Sequence, residues 1–390
     1  MKIVDICGFY APAGGGVKTY VDRKLTAAPW LGHEMVVIAP GPKDGEIELV
    51  SGARLVTMAS PAFPLDMRYH YFADEARLHA LLDRFAPDVV ECSTPWTSPG
   101  MVARWNGTAR RSLIMHCDPL SAYAYRWLGS LVERETIDRG FDFFWRHLRR
   151  LGDSFDLIVC ANRNLAARLS EGGVPNVVTE PMGVQPGIFS PDLRDERLRR
   201  DMLLTCGLDA DATLLIGVGR ISPEKRWSMV SEAVTAAGLV RKVGMVLLGE
   251  GRDRSRLMRA IAGNPHISVM GQVTDRRLLS RMLASADAMV HGCEAETFGM
   301  AAAEARASGI PVIAPDMGGA SDFARDAMGW TYRSGHGPSL AALLRLLGPQ
   351  DYAICRARTR RAAAHVWTMD EHFASLFARY EALSPALEAA

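Results

Sequence analysis

Along this chain, short runs dense in Val, Ile, Leu and Met alternate with longer stretches in which apolar residues return every three or four positions. KIVDIC (2–7), EMVVIAP (34–40), DVVECS (88–93), RSLIMHC (111–117) and FDLIVCA (155–161) read as buried strands. VKTYVDRKLTAA (17–28) and DEARLHALLDRF (74–85) between them read as helices. Such alternation predicts a parallel sheet with crossover helices. After the Pro- and Gly-rich PMGVQPGIFSPDL (181–193), the pattern restarts with ATLLIGVGR, KVGMVLLGEG, HISVMGQV, ADAMVHG and GIPVIAP. The expectation is an α/β protein of two Rossmann-like, doubly wound domains, residues 1–185 and 186–370. The last helical stretch, within 371–390, would return to the first domain.

Length agrees, since 390 residues suit two domains with real cores. A net charge of +1 gives no global pull toward nucleic acid. Seven cysteines without CxxC pairs suggest neither a disulfide framework nor a zinc site, and a reducing cytosol fits. The N-terminus shows no export signal, and no apolar run is long enough to span a bilayer. A cytoplasmic protein is expected, with peripheral attachment to the inner face of a membrane left open.

In open parallel sheets, ligands sit beyond the carboxyl ends of the strands, and the notable motifs fall there. GFYAPAGGGVKTY (8–20) follows the first strand; Gly15 and Gly16 would let backbone approach an anion before a helix opens near Val17. The plainer reading is a flexible loop without ligand. It has neither the GxGxxG spacing of a dinucleotide site nor the GK[ST] ending of a P-loop. In GVGRISPEKRW (217–227), a tight turn would bring Arg220 and Lys225 onto one diphosphate. The alternative is two solvated surface charges.

EAETFGMAAAEA (294–305) sets Glu296 just before a helix that starts near Phe298 or Gly299, and Glu304 one to two turns into it. Free amides at that helix start favour a phosphate or sugar oxygen, and a carboxylate further in suits vicinal hydroxyls. A capping Glu296 and a surface Glu304 would be the structural equivalent.

Taken together with MHCD (115–118), MGVQPGIFSP (182–191), LLGEG (247–251) and GQV (271–273), these stretches resemble the retaining glycosyltransferases of family four. The resemblance spans nearly the whole chain. It implies the GT-B fold and transfer of a hexose from a UDP- or GDP-sugar to a sugar or lipid acceptor, with no cofactor and no metal ion. By that resemblance Arg220 and Lys225 would neutralise the donor diphosphate, Glu304 would hold the ribose and Glu296 the transferred sugar. Phe298, Gly299 and Met300 would face sugar and phosphates, Gly15 and Gly16 would complete the cradle, and Val273 would face the base. His116 would touch the donor sugar, and Asp118 is a candidate acceptor contact. The chain departs from the commoner family pattern at His291 and Gly292, where many relatives carry Pro and Ser.

Acceptor choice is less legible. RGFDFFWRHLRRLG (139–152) mixes Phe and Trp with Arg, as a membrane-surface helix does, and a buried helix explains the aromatics equally. Two readings from other classes remain, a sugar-nucleotide epimerase and a non-catalytic nucleotide-sugar-binding protein. Acceptor-independent epimerisation would mark the first, and binding without transfer the second.

Overall fold

The computed structural model describes all residues except 12–15, 65, 66, 68, 119, 129–131, 262, 326, 327 and 384–390. It divides into two compact units, the first formed by Met1–Asp118, Leu131–Pro181 and Met369–Ala390, the second by Pro119–Ser130 and Met182–Thr368.

Among the described residues, unit 1 holds the strands β1 (Lys2–Ile6), β2 (Glu34–Gly41), β3 (Gly45–Glu48), β4 (Arg54–Ala59), β5 (Val89–Cys92), β6 (Arg110–Met115), β7 (Leu157–Cys160) and β8 (Val177–Thr179). They form one sheet in the order β3-β4-β2-β1-β5-β6-β7-β8. Every pairing is parallel except that of β3 with β4. β1, β5 and β7 are buried along nearly their whole length, which is why they read as apolar runs and not as alternating ones. Asn162 and Asp74 start the helices Arg163–Glu171 and Glu75–Phe85 by accepting a backbone N–H at the third following residue.

The helix Met369–Leu383 belongs to unit 1 and packs on the helix Gly16–Trp30. It buries Phe373, Leu376, Phe377 and Tyr380. His372 donates from Nδ1 to the Pro181 carbonyl at 2.9 Å, so its Nε2 receives the Tyr20 hydroxyl at 3.1 Å.

Unit 2 holds β9 (Thr213–Val218), β10 (Val243–Leu248), β11 (Ile267–Met270), β12 (Ala288–Val290), β13 (Val312–Pro315) and β14 (Gly329–Tyr332). Their order is β11-β10-β9-β12-β13-β14, parallel throughout. Two apolar clusters sandwich this sheet, one around Trp227, Val230 and Leu257, the other around Leu203, Leu283 and Ala302. The chain runs outward from β9 to β11 on one side and from β12 to β14 on the other. Its strand order therefore reverses between β9 and β12, where open α/β sheets offer a crevice to ligands.

Candidate functional site

Two loops flank that reversal point, and both carry charge. Beyond β9, Ile221 is tied to Glu250 by a backbone bond of 2.8 Å, and the chain then tightens into the turn Pro223–Lys225. Trp227, buried in the core, donates its indole N–H to the Arg220 carbonyl at 3.0 Å. The backbone of Arg220 is thus pinned while its side chain is 75% exposed and 3.7 Å from Glu224. Such an arginine can turn to an incoming anion without leaving a buried partner behind.

The second loop runs from β12 to the helix Met300–Ala307. Gly292 is where the two loops meet: a Cβ there would lie 2.5 Å from the Lys225 carbonyl. The Lys225 ammonium contacts Glu296 Oε1, and Arg226 grips Glu294 with Nε 2.9 Å from Oε2. Gly299 caps the helix at φ +86°, a left-handed backbone that suits glycine and is costly to a side chain. Phe298 is buried against Phe323, ring centres 5.3 Å apart. Met300 opens the helix, whose first amides lack carbonyl partners within it, so the helix start favours negative charge.

Glu304 lies in the second turn, buried, and receives Arg276 Nη2 from the start of the neighbouring helix Arg276–Ser285. Burial pushes its carboxyl above the ordinary range, and the Arg276 charge works against that. Arg276 also lies over the Phe189 ring, 5.0 Å from its centre. Val273 follows β11 and packs, partly buried, on the cluster around Leu283 and Ala302.

Unit 2 thus carries Arg220 and Lys225 on the loop after β9, Glu296, Phe298, Gly299, Met300 and Glu304 on the loop and helix after β12, and Val273 after the edge strand β11. His116 and Asp118 lie in unit 1, just past β6. The His116 ring stands edge-on to Tyr20 with centres 4.7 Å apart. Burial, then the Lys24 charge and His372, bring its pKa down to about 3, so the ring is neutral. Asp118 is buried and paired with Arg168 at 2.6 Å, which occupies the carboxylate proposed as an acceptor contact. Gly16 opens the first helix and is exposed; Gly15 lies outside the described residues.

Two participants did not stand out in the sequence, and a third, His291, stood out only as a departure from the commoner family pattern. Arg226 and Glu294 form the fork beside Lys225 and Glu296, and His291 Nε2 lies 3.2 Å from Glu296 Oε1. The adjacency of Lys225 with Arg226, against two glutamates two residues apart, was the available signal. A cavity of about 460 Å³ is lined by Ser222, Pro223, Arg226, Trp227 and Arg256 among others. Neither Glu296 nor Glu304 lines it, so the charged loops mark the candidate site better than the void does.

The family description "Glycosyl transferases group 1" matches residues 206–360, and "Glycosyl transferase 4-like domain" matches residues 15–184. A GDP-mannose-dependent alpha-(1-6)-phosphatidylinositol dimannoside mannosyltransferase of Mycobacterium tuberculosis is 30% identical over 318 residues, 80% of this chain and 79% of that protein. The chain belongs to the group 1 glycosyltransferases. A second relative of this glycosyltransferase, a GDP-mannose-dependent alpha-mannosyltransferase of Mycobacterium tuberculosis, is 30% identical over 83% of the chain and 81% of its own length. Among solved structures, sucrose-phosphate synthase from Thermosynechococcus elongatus superposes with a TM-score of 0.74 at 18% identity, covering 98% of this chain and 100% of the other. That likeness shows the GT-B fold expected of a group 1 glycosyltransferase.

Proposed function

We propose that this glycosyltransferase moves mannose from GDP-mannose to a sugar or lipid acceptor, with retention at the anomeric carbon and without a metal ion. The observation that carries the reading is the ion pair of Lys225 with Glu296 across the β9–β12 reversal point, with Arg220 exposed beside it and Glu304 in the helix that follows. Arg220 and Lys225 stand beyond β9, and Glu296 and Glu304 follow β12. The relatives named for GDP-mannose favour that donor over its uridine counterparts.

In this reading Glu304 accepts the ribose hydroxyls and Glu296 the hydroxyls of the transferred sugar. Gly299 and Met300 present the start of their helix to the phosphates, with Phe298 packed beneath, and Val273 lies toward the base. As the glycosidic bond lengthens, the sugar gains oxocarbenium character and the diphosphate gains charge. Arg220 and Lys225 stabilise that charge, the part a divalent ion plays in other transferases. The leaving phosphate takes the proton of the acceptor hydroxyl on the same face, so the enzyme forms no covalent glycosyl intermediate. In unit 1 the neutral His116 is the candidate sugar contact, and Asp118 would reach an acceptor only by sharing itself with Arg168.

The test is transfer itself, followed by proton NMR with GDP-mannose, GDP-glucose, UDP-glucose and a phosphatidylinositol mannoside acceptor, in chelator. An α-linked mannoside formed in the presence of EDTA is expected. Epimerised donor without acceptor, or binding without turnover, would replace the reading with one of the other classes.

A second reading, action at a membrane surface, is favoured by the helix Asp142–Ser154. Phe144 and Trp145 are buried, but Phe143 is 63% exposed and Arg146 and Arg150 are exposed on the same helix. That arrangement suits an anionic lipid surface. Sedimentation with phosphatidylinositol-containing vesicles but not with phosphatidylcholine alone would support it, and loss of the difference in Phe143→Ser with Arg146→Ser would place the contact.

A further inference from the structure

His291 is almost fully buried beside Glu296, at 1% exposure, and its ring is fixed from several directions. The Cys293 N–H donates to Nδ1 at 3.0 Å. That bond fills the Nδ1 lone pair, so a neutral ring carries its proton on Nε2. Burial, then the nearby Lys225 charge, keep the imidazole neutral by lowering its pKa well below the ordinary value. The backbone is anchored too: His291 N–H donates to the Ile313 carbonyl at 2.8 Å, and the Tyr332 hydroxyl donates to the His291 carbonyl at 2.7 Å. Nε2 then lies 3.2 Å from Glu296 Oε1, the same oxygen that Lys225 contacts.

Two nitrogens therefore meet one carboxylate oxygen, and they differ in kind. Lys225 is a charge on a flexible stem, free to exchange Glu296 for a phosphate. His291 is a neutral donor on a locked ring. We propose that His291 is a positioning residue for Glu296: its Nε2–H holds Oε1 when Lys225 turns to the donor diphosphate, so that Oε2 stays aimed at the hydroxyls of the transferred sugar. The inference rests on the reading of Glu296 as the sugar contact. It also gives a reason for a histidine at a position where the commoner family pattern has proline, which has no donor to offer.

The two faces of the ring can be tested separately. His291→Gln keeps a side-chain N–H near the Nε2 position, whereas His291→Asn keeps an acceptor for Cys293 N–H and loses the donor to Glu296. Calorimetry would give the affinity for GDP-mannose relative to GDP in each. The expected result is a ratio near wild type in His291→Gln and a loss of about tenfold in His291→Asn, the scale of one hydrogen bond to a charged group. Equal ratios in the two variants, whether both kept or both lost, would overturn the inference.

Glu296→Gln separates the two layers. If it leaves the GDP-mannose to GDP ratio unchanged, the sugar role of Glu296 fails and the positioning role with it. If it lowers the ratio while the two His291 variants match, only the positioning role fails. Nitrogen NMR of histidine-labelled wild-type protein needs no variant: a ring protonated at Nε2 with and without GDP-mannose is expected, and a proton on Nδ1 would refute the inference.

Discussion

Lys24 and Lys225 keep similar company in two different settings. Lys24, on the helix Gly16–Trp30, lies 2.8 Å from Asp5 and against Glu91, and all three side chains have no exposure. Asp5 also accepts the Ser93 hydroxyl at 2.8 Å, and Glu91 accepts the Tyr380 hydroxyl at 2.8 Å. Both acids sit within strands, paired in register on β1 and β5. Lys225 and Glu296 instead stand past the ends of β9 and β12, with side chains 15% and 21% exposed. A sealed cluster has every polar group committed and can exchange with nothing. A pair at the strand ends can give up its internal partner for a ligand. The same chemistry is structural in the first place and available for binding in the second.

Removing the cation from each should separate the two most sharply. Lys24→Met leaves two carboxylates buried without a charge partner, and unfolding in urea should show a loss of about 3–5 kcal/mol or no folded protein at all. Lys225→Met should unfold within about 1 kcal/mol of wild type, as partly exposed pairs do. A fully stable Lys24→Met protein would remove the distinction.

Turnover should show the reverse order. Arg220→Ala removes no buried contact, yet transfer from GDP-mannose should fall roughly 100- to 1,000-fold, the range for one lost stabiliser of developing charge. Lys225→Met should fall by a similar factor. Wild-type rates in both would return these cations to the status of surface charges.

These two clusters were unequally legible in the sequence. The strand runs, the restart after residue 181 and the motif at 294–305 all announced themselves, because buried parallel strands are continuous apolar runs and loop chemistry sits at their ends. Asp5 and Glu91 interrupt two of those runs, and only the partners Lys24 and Tyr380, on helices elsewhere in the chain, explain them. Likewise nothing in the letters joined Arg276 to Glu304 or His291 to Glu296, because those contacts depend on which helices and loops become neighbours. The helix at 142–154 showed the limit of composition: its aromatic residues divide between core and surface, and the sequence does not say which is which.

Glu304 offers a middle case, buried like Glu91 but beside the open site. Glu304→Ala should weaken GDP binding roughly tenfold by removing the proposed ribose acceptor. Arg276→Met should do less at high pH and more as pH falls. Without the arginine, burial alone acts on Glu304 and raises its carboxyl further, so acid protonates it and removes an acceptor. GDP titrations across pH in both proteins would check this, and a pH-independent deficit in Arg276→Met would oppose it.

The smallest effect should come from the sealed cluster's own proton. Burial, opposed by Lys24, raises the Glu91 carboxyl from its ordinary 4.5 to about 7. Burial works against the Lys24 ammonium, but Asp5 and Glu91 hold it charged, well above its usual range. With one cation between two acids, a proton on Glu91 balances the cluster. Between pH 4.5 and 7 the folded chain keeps a proton that the unfolded chain has released, so the unfolded state binds fewer protons and stability falls as pH rises. The contribution is complete below the lower value and gone above the upper one. Glu91→Gln supplies a permanent neutral partner. It should flatten this part of the pH dependence and, at pH 8, raise the thermal midpoint of the transition that unfolds unit 1 by about 2–4 °C, equivalent to about 1 kcal/mol. A thermal scan at pH 5, 6, 7 and 8 is sufficient. Parallel curves for the two proteins would mean that Lys24 holds both acids ionised throughout, and the cluster would then be a charged triad and not a shared proton.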